Sequence, residues 1–221
     1  MKRKHRPFLL VMAMVLAGCG GNVSVTSPSK PQRLGVVFVG DSIFARWPLE
    51  VYFPNRGFIN SGIDGERTDE VLARLPDVLS GANVCTKNPS IALTCNSMTP
   101  PATVVIYAGW NDVFQLVDPQ VAIANLNSIA QECLHAGVHP ILVTPYRFDP
   151  AFPHFTPNPF DAPIDQIDQG VRDIGTNLGI LVIPLDAVFA GQSGYTLDDV
   201  HPNATGYTVM RDAFVPFIGK L

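Results

Sequence analysis

The stretch VVFVGDSIF, residues 36–44, carries the clearest fold signal of the chain. Four apolar residues of strand-forming type, Val36 to Val39, run directly into a Gly-Asp-Ser turn. A continuous apolar run of this length is typical of a strand that is buried on both faces of a parallel sheet. In such folds the carboxyl ends of the strands border the crevice where the chemistry takes place. The sequence therefore predicts that Ser42 lies at that edge of the sheet.

Segments of strand length alternate with segments of helical period along the rest of the chain. The predicted strands are residues 34–39, a short strand near residues 58 and 59, and residues 103–107, 140–143 and 180–183. Helices are predicted from Thr68, which would cap a helix bent at Pro76, from Asp118 to Gly137, from Asp161, and from about Asn203. This alternation predicts an α/β fold, in which helices cover both faces of a parallel sheet of about five strands.

The amino-terminal residues have the pattern of an export signal. Four basic residues within the first six are followed by an apolar run from Phe8 to Ala17, which is too short to cross a bilayer. The formal net charge of the chain is -4, and removal of this basic segment makes the mature chain more acidic. No basic patch with interleaved aromatic residues is visible in the sequence, so nucleic acid is not an expected partner.

Residues 16–19, LAGC, resemble the lipobox of bacterial lipoproteins, in which cleavage before the cysteine leaves it as the lipidated first residue. By that resemblance Cys19 is the lipidation site, and the alternative is an ordinary secretory signal with an incidental cysteine. The expected organisation is a lipoprotein signal peptide (1–18), a flexible tether (19–33) and one domain (34–221). The expected location is membrane-anchored, on the periplasmic or outer-membrane face.

The other three cysteines divide into a pair and a single residue. Cys85 and Cys95 bracket a loop that contains Pro and Asn in an exported chain, and they are predicted to form a disulfide. Because this loop precedes the third strand, we expect it at the amino edge of the sheet, without a role in catalysis. Cys133, on a helix, is predicted to be a buried free thiol. A glycine interrupts the helix between His135 and His139, so neither a metal nor another cofactor is expected.

Three further segments carry polar residues at the same predicted edge. They are INSGIDGERTDEVLARL (59–75), VVIYAGWNDVF (104–114) and LDDVHPNATGY (197–207). In the last one, Asp198 precedes His201 by three residues, a spacing that brings a carboxylate to the imidazole Nδ1 and leaves Nε2 for a serine. Each segment alone has an ordinary structural explanation, such as a helix cap, a glycine turn or an Asn-Asp turn.

Together, and in this order, the four segments resemble the SGNH hydrolases, also called GDSL-type esterases and lipases. The resemblance implies a three-layer α/β/α fold of the flavodoxin-like type. It implies Ser42 as the nucleophile, His201 as the general base and acid, and Asp198 as the carboxylate that orients the histidine. The oxyanion donors would be the backbone N–H groups of Ser42 and Gly65 and the side-chain amide of Asn111.

The second segment departs from the pattern of that family, which commonly has Gly-Ile-Ser-Gly-Asp-Thr-Thr where residues 62–68 are GIDGERT. Gly65 is retained, and with it the implied oxyanion donor. The acidic residues Asp64 and Glu66, together with Arg67, leave the substrate preference at this rim open. In the last segment, Asp199 is a rival for the acid of the triad, although the spacing to His201 favours Asp198.

Aromatic residues near these segments are candidates for substrate contact. Trp110 and Phe114 follow the third strand, with core packing as the alternative for Trp110. Tyr146 and Phe148 begin a long segment, 145–163, which is expected to wall an acyl or sugar pocket or else to fix a proline-rich loop to the surface. The predicted function is that of a monomeric serine esterase for small-molecule or glycan esters. The alternatives are an envelope glycan O-acyltransferase and a nonenzymatic glycan-binding module.

Overall fold

The computed structural model of the chain describes residues 35–152 and 158–218. The predicted signal peptide, the predicted lipidation site at Cys19 and the predicted tether lie outside the described residues. Within the two described ranges, no helix combines the length and the apolar character needed to cross a membrane.

A parallel sheet of five strands forms the centre of the domain. The strands of the chain are β1 (Val36–Gly40), β2 (Ile59–Gly62), β3 (Val84–Asn88), β4 (Ile91–Asn96), β5 (Thr103–Tyr107), β6 (His139–Val143) and β7 (Leu181–Ile183). The order in the sheet is β2-β1-β5-β6-β7, and every pair in it is parallel. The predicted parallel sheet is thus confirmed, and β1 lies between β2 and β5.

Helices cover both faces of this sheet. They are α1 (Ser42–Ala45), α2 (Leu49–Tyr52), α3 (Thr68–Ser80), α4 (Trp110–Phe114), α5 (Pro119–His135), α6 (Asp161–Leu178), α7 (Leu185–Phe189) and α8 (Ala204–Ile218). Helix α5 packs between α3 and α6, whereas α8 packs with α2 and α7. The predicted cap at Thr68 is wrong, because Thr68 is the first helical residue and Arg67 precedes it as the cap. Helix α3 continues through Pro76.

An aromatic cluster ties β1 to the helices on one face. Its centre is Phe38, in the middle of β1, which is completely buried. The rings around it, with centroids at most 6.3 Å from that of Phe38, belong to Phe44, Trp47, Phe53, Phe58 and Phe214. Burial of several large rings is a major source of stability in a domain of this size. The cluster therefore fixes the segment that directly follows Ser42.

The hairpin formed by β3 and β4 corrects one prediction. The predicted disulfide between Cys85 and Cys95 is present and joins the two strands. The hairpin, however, lies beside the carboxyl end of β2 and not at the amino edge of the sheet. Ile63, just after β2, pairs in parallel with Lys87, whose carbonyl accepts a hydrogen bond from the N–H of Asp64 at 3.0 Å. The prediction failed because β3 runs alongside β2 and continues beyond its end.

Candidate active site

Ser42 stands at the junction of β1 and α1. Gly40 ends the strand so close to β5 that a Cβ atom there would lie 1.8 Å from the carbonyl oxygen of Tyr107, so only glycine fits. Asp41 then caps α1, because its carboxylate accepts a hydrogen bond from the N–H of Ile43 at 2.9 Å. As a result Ser42 is the first residue of α1, at the carboxyl edge of the sheet.

The structure brings Ser42, His201 and Asp198 together, as the sequence predicts. The Oγ of Ser42 lies 2.9 Å from Nε2 of His201. On the other side of the ring, Nδ1 lies 2.8 Å from one carboxylate oxygen of Asp198 and 3.0 Å from the other. The same carboxylate accepts the backbone N–H of His201 at 2.8 Å. The acid in contact with the histidine is therefore Asp198, and not its neighbour Asp199.

The electrostatics of Asp198 favour one arrangement of protons. Burial raises the pKa of Asp198, but the hydrogen bonds from the backbone and the ring of His201 outweigh that effect, so its pKa lies below the usual value. An ionised carboxylate in this position holds the proton of the imidazole on Nδ1. Nε2 is then left with a lone pair that faces the hydroxyl of Ser42.

One buried carboxylate, that of Asp149, fixes the segment that leads to this acid and base. It accepts five hydrogen bonds of 2.7 to 3.0 Å, from the N–H groups of Ala151, Gly194, Tyr195 and Thr196 and from the hydroxyl of Thr196. Burial raises the pKa of Asp149, but these donors outweigh it and the pKa lies below the usual value. Sequence analysis missed this residue, because four of these five hydrogen bonds come from residues more than forty positions away.

Two more side chains hold the same segment, residues 194–203. The hydroxyl of Tyr146 donates to the carbonyl of Val200 at 2.6 Å. The amide of Asn203 donates to the carbonyl groups of Gly194 and Thr196 at 2.9 and 3.0 Å, and its side-chain oxygen caps α8. The positions of His201 and Asp198 are thus set by contacts with the segment that follows β6 and with Asn203, just before α8.

The segment 62–68 approaches Ser42 from the other side. Gly62 allows this approach, because a Cβ atom there would lie 2.2 Å from the backbone nitrogen of Ala45 in α1. Gly65 is exposed and has a φ of +82°, a conformation that favours glycine. The side-chain amide of Asn111 donates to the carbonyl of Glu66 at 3.0 Å. Asn111 is therefore in contact with the loop that carries Gly65, and its amide has a second N–H.

Residues 38–209 match the model of a family described as the GDSL-like Lipase/Acylhydrolase family. The chain belongs to this family. The match spans most of the chain and includes every residue of the site described above. As a member of the SGNH hydrolase superfamily, the protein is a carboxylic ester hydrolase.

Three solved structures illustrate the similarity of fold. A GDSL-like lipase from Bacteroides thetaiotaomicron is 23% identical, with a TM-score of 0.65 over 84% of this chain and 88% of that one. A mutant of Axe2, an acetyl-xylooligosaccharide esterase from Geobacillus Stearmophilus, is 21% identical, with a TM-score of 0.64 over 84% and 94%. A member of the lipolytic protein G-D-S-L family from Veillonella parvula is 17% identical, with a TM-score of 0.62 over 85% and 100%. No curated protein sequence matches the chain.

The acidic residues by which this GDSL-family chain departs from the common pattern are paired. Asp64 forms an ion pair with Arg46 at 3.0 Å. Glu66 is buried and receives two hydrogen bonds from Arg74, of 2.5 and 2.6 Å, while Arg74 also donates to the hydroxyl and the carbonyl of Ser61. Burial raises the pKa of Glu66, and the bonds from Arg74 only partly offset this effect. Both carboxylates therefore hold the loop around Gly65 in place.

A further contact joins the loop to α4. The carboxylate of Asp112, next to Asn111, accepts the backbone N–H and the hydroxyl of Thr68 at 3.0 and 2.6 Å. The hydroxyl of Thr68 in turn accepts a hydrogen bond from Asn125 at 3.0 Å. In the Asn-Asp pair of the esterase, Asn111 thus contacts the loop that carries Gly65, and Asp112 accepts a free backbone N–H at the start of α3.

The structure corrects two of the four predicted substrate contacts. Trp110 and Tyr146 are only 2% and 0% exposed, and the indole N–H of Trp110 donates to the carbonyl of Tyr146 at 2.9 Å. These two side chains are packed inside the fold and are inaccessible to substrate. Phe114 is 40% exposed and Phe148 is partly exposed, and the two rings pack edge to face. Substrate contact by Phe114 and Phe148 stays a prediction.

The remaining candidates are consistent with a structural role. Cys133 is a buried free cysteine, as predicted, and burial raises the pKa of its thiol to about 12, so it carries no nucleophilic thiolate near neutral pH.

Within residues 35–152 and 158–218, no group of three or more His, Cys, Asp or Glu side chains is arranged to hold a metal ion.

Proposed function

We propose that this hydrolase cleaves carboxylic esters through an acyl-enzyme on Ser42, with His201 as the proton carrier and Asp198 as the residue that orients it. The observation that carries the proposal is the continuous line of hydrogen bonds from Asp198 through His201 to Ser42, at 2.8 and 2.9 Å. A serine hydroxyl needs a base at this distance to become a nucleophile near neutral pH.

In the first half of the reaction, Nε2 of His201 takes the proton of Ser42 as Oγ attacks the ester carbonyl carbon. The negative charge that develops on the carbonyl oxygen is stabilised by the N–H groups of Ser42 and Gly65 and by the amide of Asn111. The carbon–oxygen bond to the alcohol then breaks, and His201 gives its proton to the departing alkoxide. The acyl group remains on Ser42.

In the second half, water takes the place of the alcohol. His201 removes a proton from the water as its oxygen attacks the acyl carbon, and it returns that proton to Oγ of Ser42 when the carboxylic acid leaves. The carboxylate of Asp198 is 53% exposed, so the acid–base pair lies close to solvent.

The location and the substrate class belong to the same proposal. The signal-peptide pattern and the residues before Cys19 support export and a lipid anchor, and the disulfide between Cys85 and Cys95 is consistent with an oxidising compartment. The esterase would then act on small-molecule or glycan esters at the cell envelope. The chemistry described above needs no cofactor.

The test is hydrolysis of a series of p-nitrophenyl esters, from acetate to palmitate, by the chain and by Ser42→Ala. We expect the variant to lose at least about 10³-fold in kcat, because the nucleophile is gone. Ser80→Ala, at an exposed serine of α3, is the matched control and should retain full activity. A fluorophosphonate probe should add its mass to Ser42 in the intact chain. Equal rates in the chain and in Ser42→Ala would refute the proposal.

A further inference from the structure

A second cavity lies at the carboxyl edge of the sheet, between α6, α7 and the segment that follows β6. Its volume is about 670 Å³, which lies within the range of small-molecule sites. Its walls include Arg147, Phe148, Asp165, Asp168, Asp186 and Tyr195, and neither Ser42 nor His201 lines it. We call this cavity the α6–α7 cleft.

Three of its carboxylates already have cationic partners. Nη1 of Arg147 lies 3.7 Å from Asp161. Nη2 of Arg147 lies 2.6 and 2.5 Å from the two oxygens of Asp165. Asp186 is bound by Arg172 at 2.5 Å and accepts a hydrogen bond from the hydroxyl of Thr144, also at 2.5 Å. Arg147, in the wall of the cleft, and Arg172, next to Asp186, are therefore both engaged with carboxylates other than Asp168.

Asp168 is different, because its side chain makes no hydrogen bond or ion pair within the described ranges of the chain. It is only 4% exposed, and its Oδ1 is buried without a partner. Burial, together with the charge of Asp186, raises the pKa of Asp168 to about 8. Native proteins rarely leave a buried carboxyl group unpaired, so a carboxyl group of this kind in the wall of a cavity points to a ligand.

The charges around Asp168 determine which ligand would be favourable. The charged and titratable groups that face it are Asp165 and Arg172 on α6, Asp186 on α7, Arg147 after β6 and Tyr107 on β5. With Asp161 at the rim, four carboxyl groups line the cleft, and the guanidinium groups near them are that of Arg147 in the wall and that of Arg172, which is bound to Asp186. This excess of carboxyl groups favours a cation over an anion.

The rest of the wall favours an organic cation. Within the described part of the chain, no cluster of side chains is suited to a metal ion. The rings of Phe148, Phe189 and Tyr195 line the cleft beside the carboxyl groups. Aromatic rings next to a carboxylate are a common setting for ammonium groups, since the ring face attracts the cation and needs no hydrogen bond.

We infer that the α6–α7 cleft binds the ammonium group of an organic ligand, with Asp168 as its counter-ion and the partly exposed ring of Phe148 as its aromatic wall. Amino sugars and the choline or ethanolamine headgroups of lipids share this chemistry. Binding ionises Asp168 and releases its proton to solvent, so affinity increases with pH up to the pKa of the empty site. The inference makes no use of Ser42 and is independent of the proposed ester hydrolysis.

The experiment is isothermal titration calorimetry of the full chain with three ammonium probes: choline, ethanolamine and glucosamine. Each is paired with an uncharged analogue, namely 3,3-dimethyl-1-butanol, ethylene glycol and glucose. We expect saturable binding of an ammonium probe and none of its analogue. With choline, whose charge does not change with pH, affinity should rise by about tenfold between pH 6 and pH 7, rise less steeply towards pH 8 and level off above it.

The variant for this test is Asp168→Asn, which keeps the shape of the side chain and removes its charge. It should weaken binding by about tenfold or more, whereas Asp173→Asn, at an exposed site on the same helix, should not change it. Binding of choline and ethanolamine without glucosamine would identify a lipid headgroup, and the reverse an amino sugar. The inference is overturned if no ammonium probe binds, if the analogues bind equally well, or if Asp168→Asn has no effect. The analogue comparison uses the unaltered chain and so does not depend on the folding of a variant.

Discussion

The two loops that meet at Ser42 are held in place in different ways. Residues 194–203, which carry Asp198 and His201, depend mainly on one buried acceptor, the carboxylate of Asp149. Residues 62–68, which carry Gly65, are held by several smaller contacts on three elements: the ion pairs of Asp64 and Glu66, the bond from Asn111 and the contact of Thr68 with Asp112. Removal of the one central acceptor should therefore displace the whole of its loop. Removal of one of several distributed contacts should lower the function of its loop only in part.

The largest expected effect comes from Asp149→Ala. Five donors lose their acceptor, and several of them stay buried, so the free energy of unfolding should fall by about 3 kcal/mol or more. Displacement of the histidine should lower kcat by about 10²-fold. Urea unfolding and ester hydrolysis measure the two effects, with Asp212→Ala at an exposed site as the control. A variant with normal kcat and reduced stability would show that the loop keeps its shape without this acceptor.

A smaller effect is expected from Arg74→Lys on the other loop. Lysine retains the charge, but its ammonium group cannot bind the two carboxylate oxygens of Glu66 and the hydroxyl of Ser61 at once. The backbone around Gly65 therefore loses part of its support. We expect kcat to fall by about tenfold with little change in KM, because an oxyanion donor acts on the transition state. Arg211→Lys, on the exposed side of α8, is the control. A loss as large as that of Asp149→Ala would contradict the view that this loop has distributed support.

Thr68→Val should have a modest effect on stability and almost none on catalysis. The variant keeps the shape of the side chain and the backbone bond to Asp112, but it removes the hydroxyl that links Asp112 with Asn125. We expect a loss of about 1 kcal/mol in the free energy of unfolding. The exposed Thr176→Val provides the matched change, and a thermal melt of both variants decides the outcome. A tenfold loss in kcat would show that this contact positions Asn111 as well.

The finest test of the comparison is the dependence of stability on pH. Asp149 has a folded pKa below its unfolded value, so the stability it contributes is present above the unfolded pKa of 3.8 and is lost as the pH falls through the folded pKa. Glu66 has a folded pKa above its unfolded value of 4.5, so its contribution is complete below pH 4.5 and is lost as the pH rises through the folded pKa.

The difference in unfolding free energy between the chain and Asp149→Asn should therefore grow as the pH rises from about 3, whereas that between the chain and Glu66→Gln should shrink above pH 4.5. Denaturant titrations at a series of pH values measure both slopes. Slopes of the same sign would mean that the two carboxyl groups are held in equivalent environments.

The sequence was sufficient for the elements whose signals are local. The apolar run before Gly40 predicts β1, and the spacing of three residues between Asp198 and His201 predicts their contact, because one turn of chain brings the two side chains together. The parallel sheet follows from the alternation of strand and helix patterns. These features depend on residues that are close in sequence.

Other features depend on distant contacts and could not be predicted. Asp149 looks like an ordinary turn residue until its partners at 194–196 are known. Trp110 and Tyr146 look like pocket aromatics because they follow strands at the active edge, yet each uses its polar atom for a bond to a backbone carbonyl inside the fold. Nothing in the two strands of the hairpin, VCTKN and IALTCN, shows that β3 extends along β2.

The hydrogen bond between Ser42 and His201 joins positions that are 159 residues apart. A contact of this length forms late, because the entropy of closing so large a loop is recovered only after the intervening strands have paired. During most of its synthesis the growing chain therefore contains β1 and Ser42 but not yet His201, the base that activates the serine. Any truncation before residue 201 leaves a serine that has no catalytic partner, so the bond between these two positions also reports that all five strands of the sheet have been made.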